Sequence, residues 1–340
     1  VNSTPKEEPR EASAQQKIAA ARKAMKSALI ERDAEIDLVL TALIANEHPL
    51  LVGPPGTGKS MIGDALVRMM GQGTKSFAIL LTKFSTPEEV FGPISVQGLK
   101  EDRYRRITTG KLPEAEVGFI DEIFKASSAI LNTTLRILNE RVYENGDGKF
   151  SKCPLAICVA ASNEWPGDAG EGKELGALLD RFIFRKQVKP ISEAGRRALL
   201  KRAVEGDDNK AKFSAGSRLT PDDLVEANQE AMALPVSNDA KRALWAMLEE
   251  LNKEGIHPGD RRVYKSIGAA RAYAYLCGAE EVKPEHLEIL AHVLWDDPTE
   301  QPEKAAKIVA RISNPTGHIV NGLLVQTEDI LASCVPQEAV

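Results

Sequence analysis

Gly53-Pro54-Pro55-Gly56-Thr57-Gly58-Lys59-Ser60 is the stretch on which the fold turns. It is a complete G-x-x-x-x-G-K-[ST] loop, and its surroundings are as informative as the loop itself. Leu50-Leu51-Val52, just before it, is a short unbroken apolar run and reads as a strand; residues 60–70, just after it, carry apolar side chains at helical spacing. A glycine-rich turn between a strand and a helix gathers backbone N–H groups and the positive end of the helix around one concavity. That arrangement suits a di- or triphosphate. Glycine is needed where backbone must approach phosphate with no side chain between them. Lys59 would reach the outer phosphates, and the Ser60 hydroxyl would face Mg²⁺. The candidate nucleotide contacts are therefore Gly53, Pro54, Pro55, Gly56, Thr57, Gly58, Lys59, Ser60 and Met61.

Outward from the loop, further apolar runs occur at 77–81, 117–120, 155–161 and 182–188, with helical text such as 126–138 between them. Unbroken rather than alternating runs imply strands buried on both faces, and their interleaving with helices predicts an α/β fold with a parallel five-stranded sheet covered by helices. Two amphipathic helices precede the first strand: Ile18, Ala21, Met25, Ala28 and Leu29 mark one, and Ile36, Val39, Leu40 and Leu43 the other. The polar residues 1–14, with Pro5 and Pro9, read as a mobile arm. Past about residue 190 the strands stop. Thr220-Pro221-Asp222-Asp223 starts a helix, Ser237 opens one that Gly255 closes, Asp260 another that Gly278 closes, and 283–295 reads as a fourth. The expected organisation is an α/β core over 15–200, an all-helical domain over 218–296, and a helical tail over 297–340.

The chain has 340 residues, 43% hydrophobic and 27% charged, which is enough for about two cored domains and excludes a mainly disordered chain. Its 4 cysteines form no C-x-x-C pair and its 5 histidines no i, i+4 pair, so neither a disulfide scaffold nor a zinc site is expected. No apolar run reaches the roughly 18 residues of a membrane helix, and the N-terminal stretch lacks the apolar core of a signal peptide. A cytoplasmic chain without membrane insertion is the expectation. Lys and Arg number 44 against 49 Asp and Glu, a net charge of −5, which makes nucleic acid an unlikely partner by charge alone.

The second informative stretch is Val117-Gly118-Phe119-Ile120-Asp121-Glu122, an apolar strand ending in adjacent carboxylates. Beside a phosphate loop, Asp121 suits a Mg²⁺ held through water, and Glu122 suits orienting and polarising an attacking water. Adjacent acids also cap helix starts, so the pair gains its meaning from the loop.

With these residues in place the sequence resembles a known family. Residues 53–60, Ile120-Asp121-Glu122, and Ala160-Ala161-Ser162-Asn163-Glu164 are similar to the Walker A, Walker B and sensor 1 elements of an AAA+ ATPase. Asn132-Thr133-Thr134-Leu135-Arg136-Ile137-Leu138-Asn139-Glu140-Arg141, Ala161-Ser162-Asn163-Glu164-Trp165-Pro166 and Leu179-Asp180-Arg181-Phe182 resemble the MoxR group, nearest its RavA branch, over about residues 15–295. The resemblance implies an ATP- and Mg²⁺-dependent hydrolase that forms a ring, taken as a hexamer, and remodels a protein partner, with a von Willebrand factor A domain protein as adaptor. It implies Asn163 as a γ-phosphate or water contact, Arg181 as an arginine reaching a neighbouring subunit's nucleotide, with Arg185 as competitor, and an arginine of Gly259-Asp260-Arg261-Arg262 as sensor 2. Spacing favours Arg262 over Arg261. The same resemblance gives 84–112 as a helix 2 insert and 141–151, around Asn145-Gly146-Asp147-Gly148, as a pre-sensor hairpin. Residues 167–176 read as a mobile glycine-rich loop. A nucleic-acid translocase of the same clade is the alternative; Arg103-Tyr104-Arg105-Arg106 in the insert is its one basic cluster.

Overall fold

In a computed structural model, residues 12–146, 148–165, 179–208, 210–214, 217–317 and 327 are described. The expected arm (apart from residues 12–14), the loop at 167–176 and most of the last helix candidate lie outside them. The contacts divide the chain into two units, 1–233 with 275–278, and 234–274 with 279–340.

The first unit is built on a parallel five-stranded sheet. Its strands are β1 Pro49–Val52, β2 Ser76–Leu80, β3 Val117–Asp121, β6 Ile157–Ser162 and β7 Phe184–Gln187, in the order β2-β3-β6-β1-β7. Every strand expected from the sequence is present. β1 lies between β6 and β7, with Leu50 opposite both Ala160 and Arg185, so the loop after β1 leaves from the interior of the sheet. β3 pairs with β6, Ile120 opposite Ala160, which brings the ends carrying Asp121 and Asn163 side by side. All residues of β1 and β6 are buried, as their unbroken apolar text requires.

Helices cover the sheet: α1 Ala14–Ala28, α2 Asp33–Ile44, α3 Lys59–Met69 and α6 Ser128–Glu140. Ser13 opens α1 with a capping box, its hydroxyl taking the Gln16 N–H while Gln16 reaches back to the Ser13 N–H. α3 crosses the sheet at Gly63, where an added Cβ would stand 2.7 Å from the Phe119 ring, so only glycine permits the approach. His48, leading into β1, has both ring nitrogens engaged: Nδ1 accepts from the Cys158 N–H at 2.9 Å, so Nε2 carries the proton and donates to the Leu138 carbonyl at 3.0 Å.

Between β2 and β3 the insert forms two short helices, α4 Pro87–Phe91 and α5 Val96–Lys100, and an isolated bridge joins Ile94 to Arg106. The hairpin expected before the sensor strand is present as β4 Val142–Glu144 antiparallel to β5 Phe150–Lys152. After β7 come α7 Glu193–Val204 and α8 Pro221–Ala233. Thr220 caps α8 as expected, accepting from the Asp223 N–H at 3.2 Å.

The domain edges differ from the sequence expectation. α8 belongs with the sheet: Asp223 takes Lys17 of α1 at 2.8 Å with both side chains nearly buried, and Asn228 donates to the Ile44 carbonyl. A helix start is written in local capping residues, whereas the body it packs on is decided by distant partners, so 218 was a helix boundary and not a domain boundary. The second unit contains α9 Asn238–Lys253, most of α10 Asp260–Leu276, a 3-10 helix Pro284–His292 and α11 Gln301–Ser313. The segment expected as a fourth α-helix is wound instead as a 3-10 helix, with His286, Leu287, Ile289 and Leu290 buried. α11 packs on that segment and on α9, so the helical unit continues past 296 into the expected tail.

Candidate functional site

The loop 53–60 is shaped by steric limits. At Gly53 an added Cβ would lie 2.1 Å from the Val188 carbonyl oxygen, and Gly56 and Gly58 have φ of 78° and 82°, the left-handed region that glycine enters freely. Thr57 ties the loop to itself, Oγ1 donating to the Pro54 carbonyl at 2.9 Å. Lys59 opens α3 but turns back under the loop, Nζ donating to the Gly53 carbonyl at 2.5 Å and the Pro54 carbonyl at 3.1 Å. Burial lowers its pKa from the ordinary lysine value; the charges of Asp121 and Glu122 oppose the shift.

Three candidates from three separate strands or loops are chained together. Lys59 Nζ donates to Asn163 Oδ1 at 3.2 Å, and Asn163 Nδ2 donates to Glu122 Oε1. Glu122 is 3% exposed and sits in the left-handed region at φ 55°, which a non-glycine residue adopts seldom. Its backbone N–H donates to the Asp121 carboxylate at 2.9 Å. These residues line one cavity of about 970 Å³ together with Gly56, Ser60, Met61, Leu80, Phe84 and Lys125. A second cavity of about 290 Å³ lies behind the same loop, bounded by Leu29, Ile30, Arg32, Met61, Ile191 and Leu199.

For Mg²⁺ the donors are of the right kind. Ser60 and Asp121 offer a hydroxyl and a carboxylate in one cavity, hard oxygens in a number that leaves room for phosphate and water, which is how Mg²⁺ is commonly held. Among the described residues no group of three or more His, Cys, Asp or Glu could hold a metal ion by itself.

Of the candidate arginines in the first unit, neither Arg181 nor Arg185 lines this cavity. Arg181 lines a different, polar cavity of about 470 Å³ with Asn132, Arg136, Glu140 and Glu144, beside the hairpin. Arg185 is 1% exposed within the sheet on β7, opposite Leu50. Arg262 is fully buried in the helical unit, where Nε pairs with Asp296 at 2.7 Å; Arg261 beside it is half-buried. The G-x-x-R spacing thus selects an arginine that the helical unit uses for itself.

Two residues at the site were not singled out from the sequence. Arg32, buried in the break between α1 and α2, donates to the carbonyls of Thr57 at 2.9 Å and Lys189 at 3.0 Å and so fixes the back of the loop. Lys125, three residues after Glu122, stands 3.3 Å from its Oε2. The second was readable as an i, i+3 pair; the first had no sequence signal, because its partners are backbone atoms far along the chain.

A parallel sheet with a phosphate loop after its inner strand, paired acids on the next strand but one and a separate helical unit defines the AAA+ class. The comparisons with known proteins narrow this. Residues 16–229 match the family described as the MoxR domain in the MoxR-vWA-beta-propeller ternary systems, and residues 240–309 match an AAA lid domain. The chain belongs to the MoxR family of AAA+ ATPases. An uncharacterised protein of Methanocaldococcus jannaschii is 39% identical over 86% of this chain and 75% of its own length. The chaperone MoxR1 of Mycobacterium tuberculosis is 25% identical over 79% of this chain and 72% of its own length. In fold, a crystal structure from Cytophaga hutchinsonii, provisionally named an ATPase, superposes with a TM-score of 0.69 at 16% identity, covering 88% of this chain and 94% of that one. The nearer placement beside RavA rests on the sequence resemblance alone. No helix among the described residues is long and apolar enough to cross a membrane.

Proposed function

We propose that this chain hydrolyses ATP in a Mg²⁺-dependent manner, as a ring of six subunits, and uses the cycle to remodel a protein partner. The observation that carries the reading is the chain Lys59–Asn163–Glu122 in one cavity with Ser60 and Asp121. Backbone N–H groups of the loop and Lys59 would take the phosphates, and Asn163, with both donor and acceptor, would move between Glu122 and the terminal phosphate. Glu122 would accept a proton from water while the water oxygen bonds to the γ-phosphorus. The bond from that phosphorus to the bridging oxygen then breaks, its electrons leaving with ADP. Mg²⁺, when held by Ser60 and Asp121, would offset phosphate charge. The smaller cavity, flanked by Ile30 and Ile191 with Arg32 at its edge, fits a flat base better than a phosphate.

Arg181 acts on the neighbouring subunit's nucleotide in this reading, which its place outside the cavity of its own chain supports. Burial argues for Arg261 over Arg262 as the lid arginine. A von Willebrand factor A domain protein is the proposed adaptor, since the matching family is described from systems that contain one. The test is a pair of variants. Glu122→Gln should bind an ATP analogue normally and lose turnover by ~10²- to 10⁴-fold, the range for general acid–base groups, whereas Lys59→Ala should lose binding. Full turnover in Glu122→Gln would remove this carboxylate from the chemistry.

A further inference from the structure

Glu122 has two oxygens with different surroundings. Oε1 accepts from Asn163, whereas Oε2 is buried, receives no hydrogen bond, and faces the Lys125 ammonium at 3.3 Å. The backbone builds this pairing. Glu122 turns at φ 55° into a 3-10 turn over Ile123–Lys125, and the Lys125 N–H donates to the Glu122 carbonyl at 2.9 Å. Residues i and i+3 eclipse in such a turn, which puts both side chains on one side. The Lys125 side chain is 42% exposed against 5% for Glu122, and it lines the cavity that holds Lys59, Ser60 and Asp121. A lysine serving only solubility has no need of a rigid turn that aims it at a buried carboxylate.

We propose that Lys125 is a positioning residue for hydrolysis, holding the Oε2 edge of Glu122 so that the carboxylate keeps its aim when a triphosphate enters the cavity. The inference rests on the reading that Glu122 activates water. Asn163 holds only the Oε1 edge, and as it turns toward phosphate that contact opens, so a second contact on Oε2 is what keeps the direction of the carboxylate. Lys125 is the cation in contact with Glu122, and its exposure lets the ammonium follow the carboxylate as Asn163 turns toward phosphate.

The test compares wild type, Lys125→Met, Lys125→Arg, Glu122→Gln and the Lys125→Met/Glu122→Gln double variant, reading ATPase kcat and KM together with the affinity for a fluorescent ATP analogue. Lys125→Met should lower kcat by about 10- to 100-fold with affinity little changed, Lys125→Arg should restore most of the rate, and the double variant should be no slower than Glu122→Gln, because groups that act as a unit do not add. Wild-type kcat in Lys125→Met, a fall in affinity that matches the fall in rate, or failure of arginine to rescue would each overturn the role of Lys125 while leaving Glu122 in place. A wild-type chain without ATPase, or full turnover in Glu122→Gln, would instead bring down the reading of the site beneath it.

Discussion

Gly53 and His48 show how single residues hold the nucleotide loop in place. Gly53 has an ordinary φ, so its requirement is steric: the Val188 carbonyl occupies the space of a Cβ. Gly53→Ala should force β1 and β7 apart, cost ~1–3 kcal/mol of stability as an overpacked site does, and weaken nucleotide binding; thermal melting with a binding assay checks both. His48 links the sheet to α6 through hydrogen bonds at both ring nitrogens, and burial, followed by the nearby charge of Arg141, holds its pKa well below 6.5. The sign of its pH dependence follows. Below about pH 6.5 the unfolded chain binds a proton at this imidazole that the folded chain refuses, so stability is fully present above that pH and is lost as pH falls, by up to ~1.4 kcal/mol per unit. Urea midpoints measured from about pH 8 to about pH 5 should fall less steeply in His48→Gln than in wild type. An unchanged slope would mean that other groups govern acid sensitivity. Of these two residues, Gly53 was legible in the sequence because its motif names it; His48 was not, since nothing near it predicts that Cys158 and Leu138 will meet its ring.

At the scale of elements, strands were legible because a doubly buried strand has no polar positions, and helix starts because Thr220 and Ser237 carry local caps; the Ser13 cap of α1 lies inside the stretch expected as an arm. What stayed hidden were contacts between elements. The insert and the hairpin, which no sequence signal joins, are clasped together. The Asn145 side chain accepts from the Arg106 N–H at 2.7 Å and donates to the Arg106 carbonyl at 3.0 Å, reproducing a strand pairing with an amide group. Gly146 allows the approach, since a Cβ there would lie 2.3 Å from the Tyr104 carbonyl oxygen. Phe91 of α4 stacks on Tyr143 of β4 at 5.8 Å between ring centres, and the Arg106 guanidinium holds Glu88 at 3.0 Å. Asn145→Ala leaves two part-buried backbone groups of Arg106 without partners, a loss of about 1–3 kcal/mol that falls on this junction. Hydrogen exchange should accelerate over 93–107 and 142–152 while the sheet amides keep their protection; acceleration across the whole sheet would show that the clasp supports the core instead.

At the scale of the whole molecule, the placement of Arg181 bears on assembly. Among the described residues, no arginine lines the cavity with Lys59, Glu122 and Asn163, while Arg181 stands in a separate cavity with Glu140 and Glu144. If Arg181 completes the site of a neighbouring copy, contacts between copies are heterologous, and each interface uses Glu122 from one subunit and Arg181 from the next. Two inactive variants then become complementary. Glu122→Gln subunits retain Arg181, and Arg181→Ala subunits retain Glu122, so an Arg181→Ala subunit followed by a Glu122→Gln subunit forms one intact site. Random mixing in equal amounts should restore about a quarter of wild-type turnover, since each interface requires one particular order of two equally abundant subunits. The restored activity should vanish on dilution as the assembly dissociates. Mixtures no more active than the sum of their parts, under conditions where sedimentation shows mixed assemblies, would mean that Arg181 does not complete the site of a neighbouring subunit.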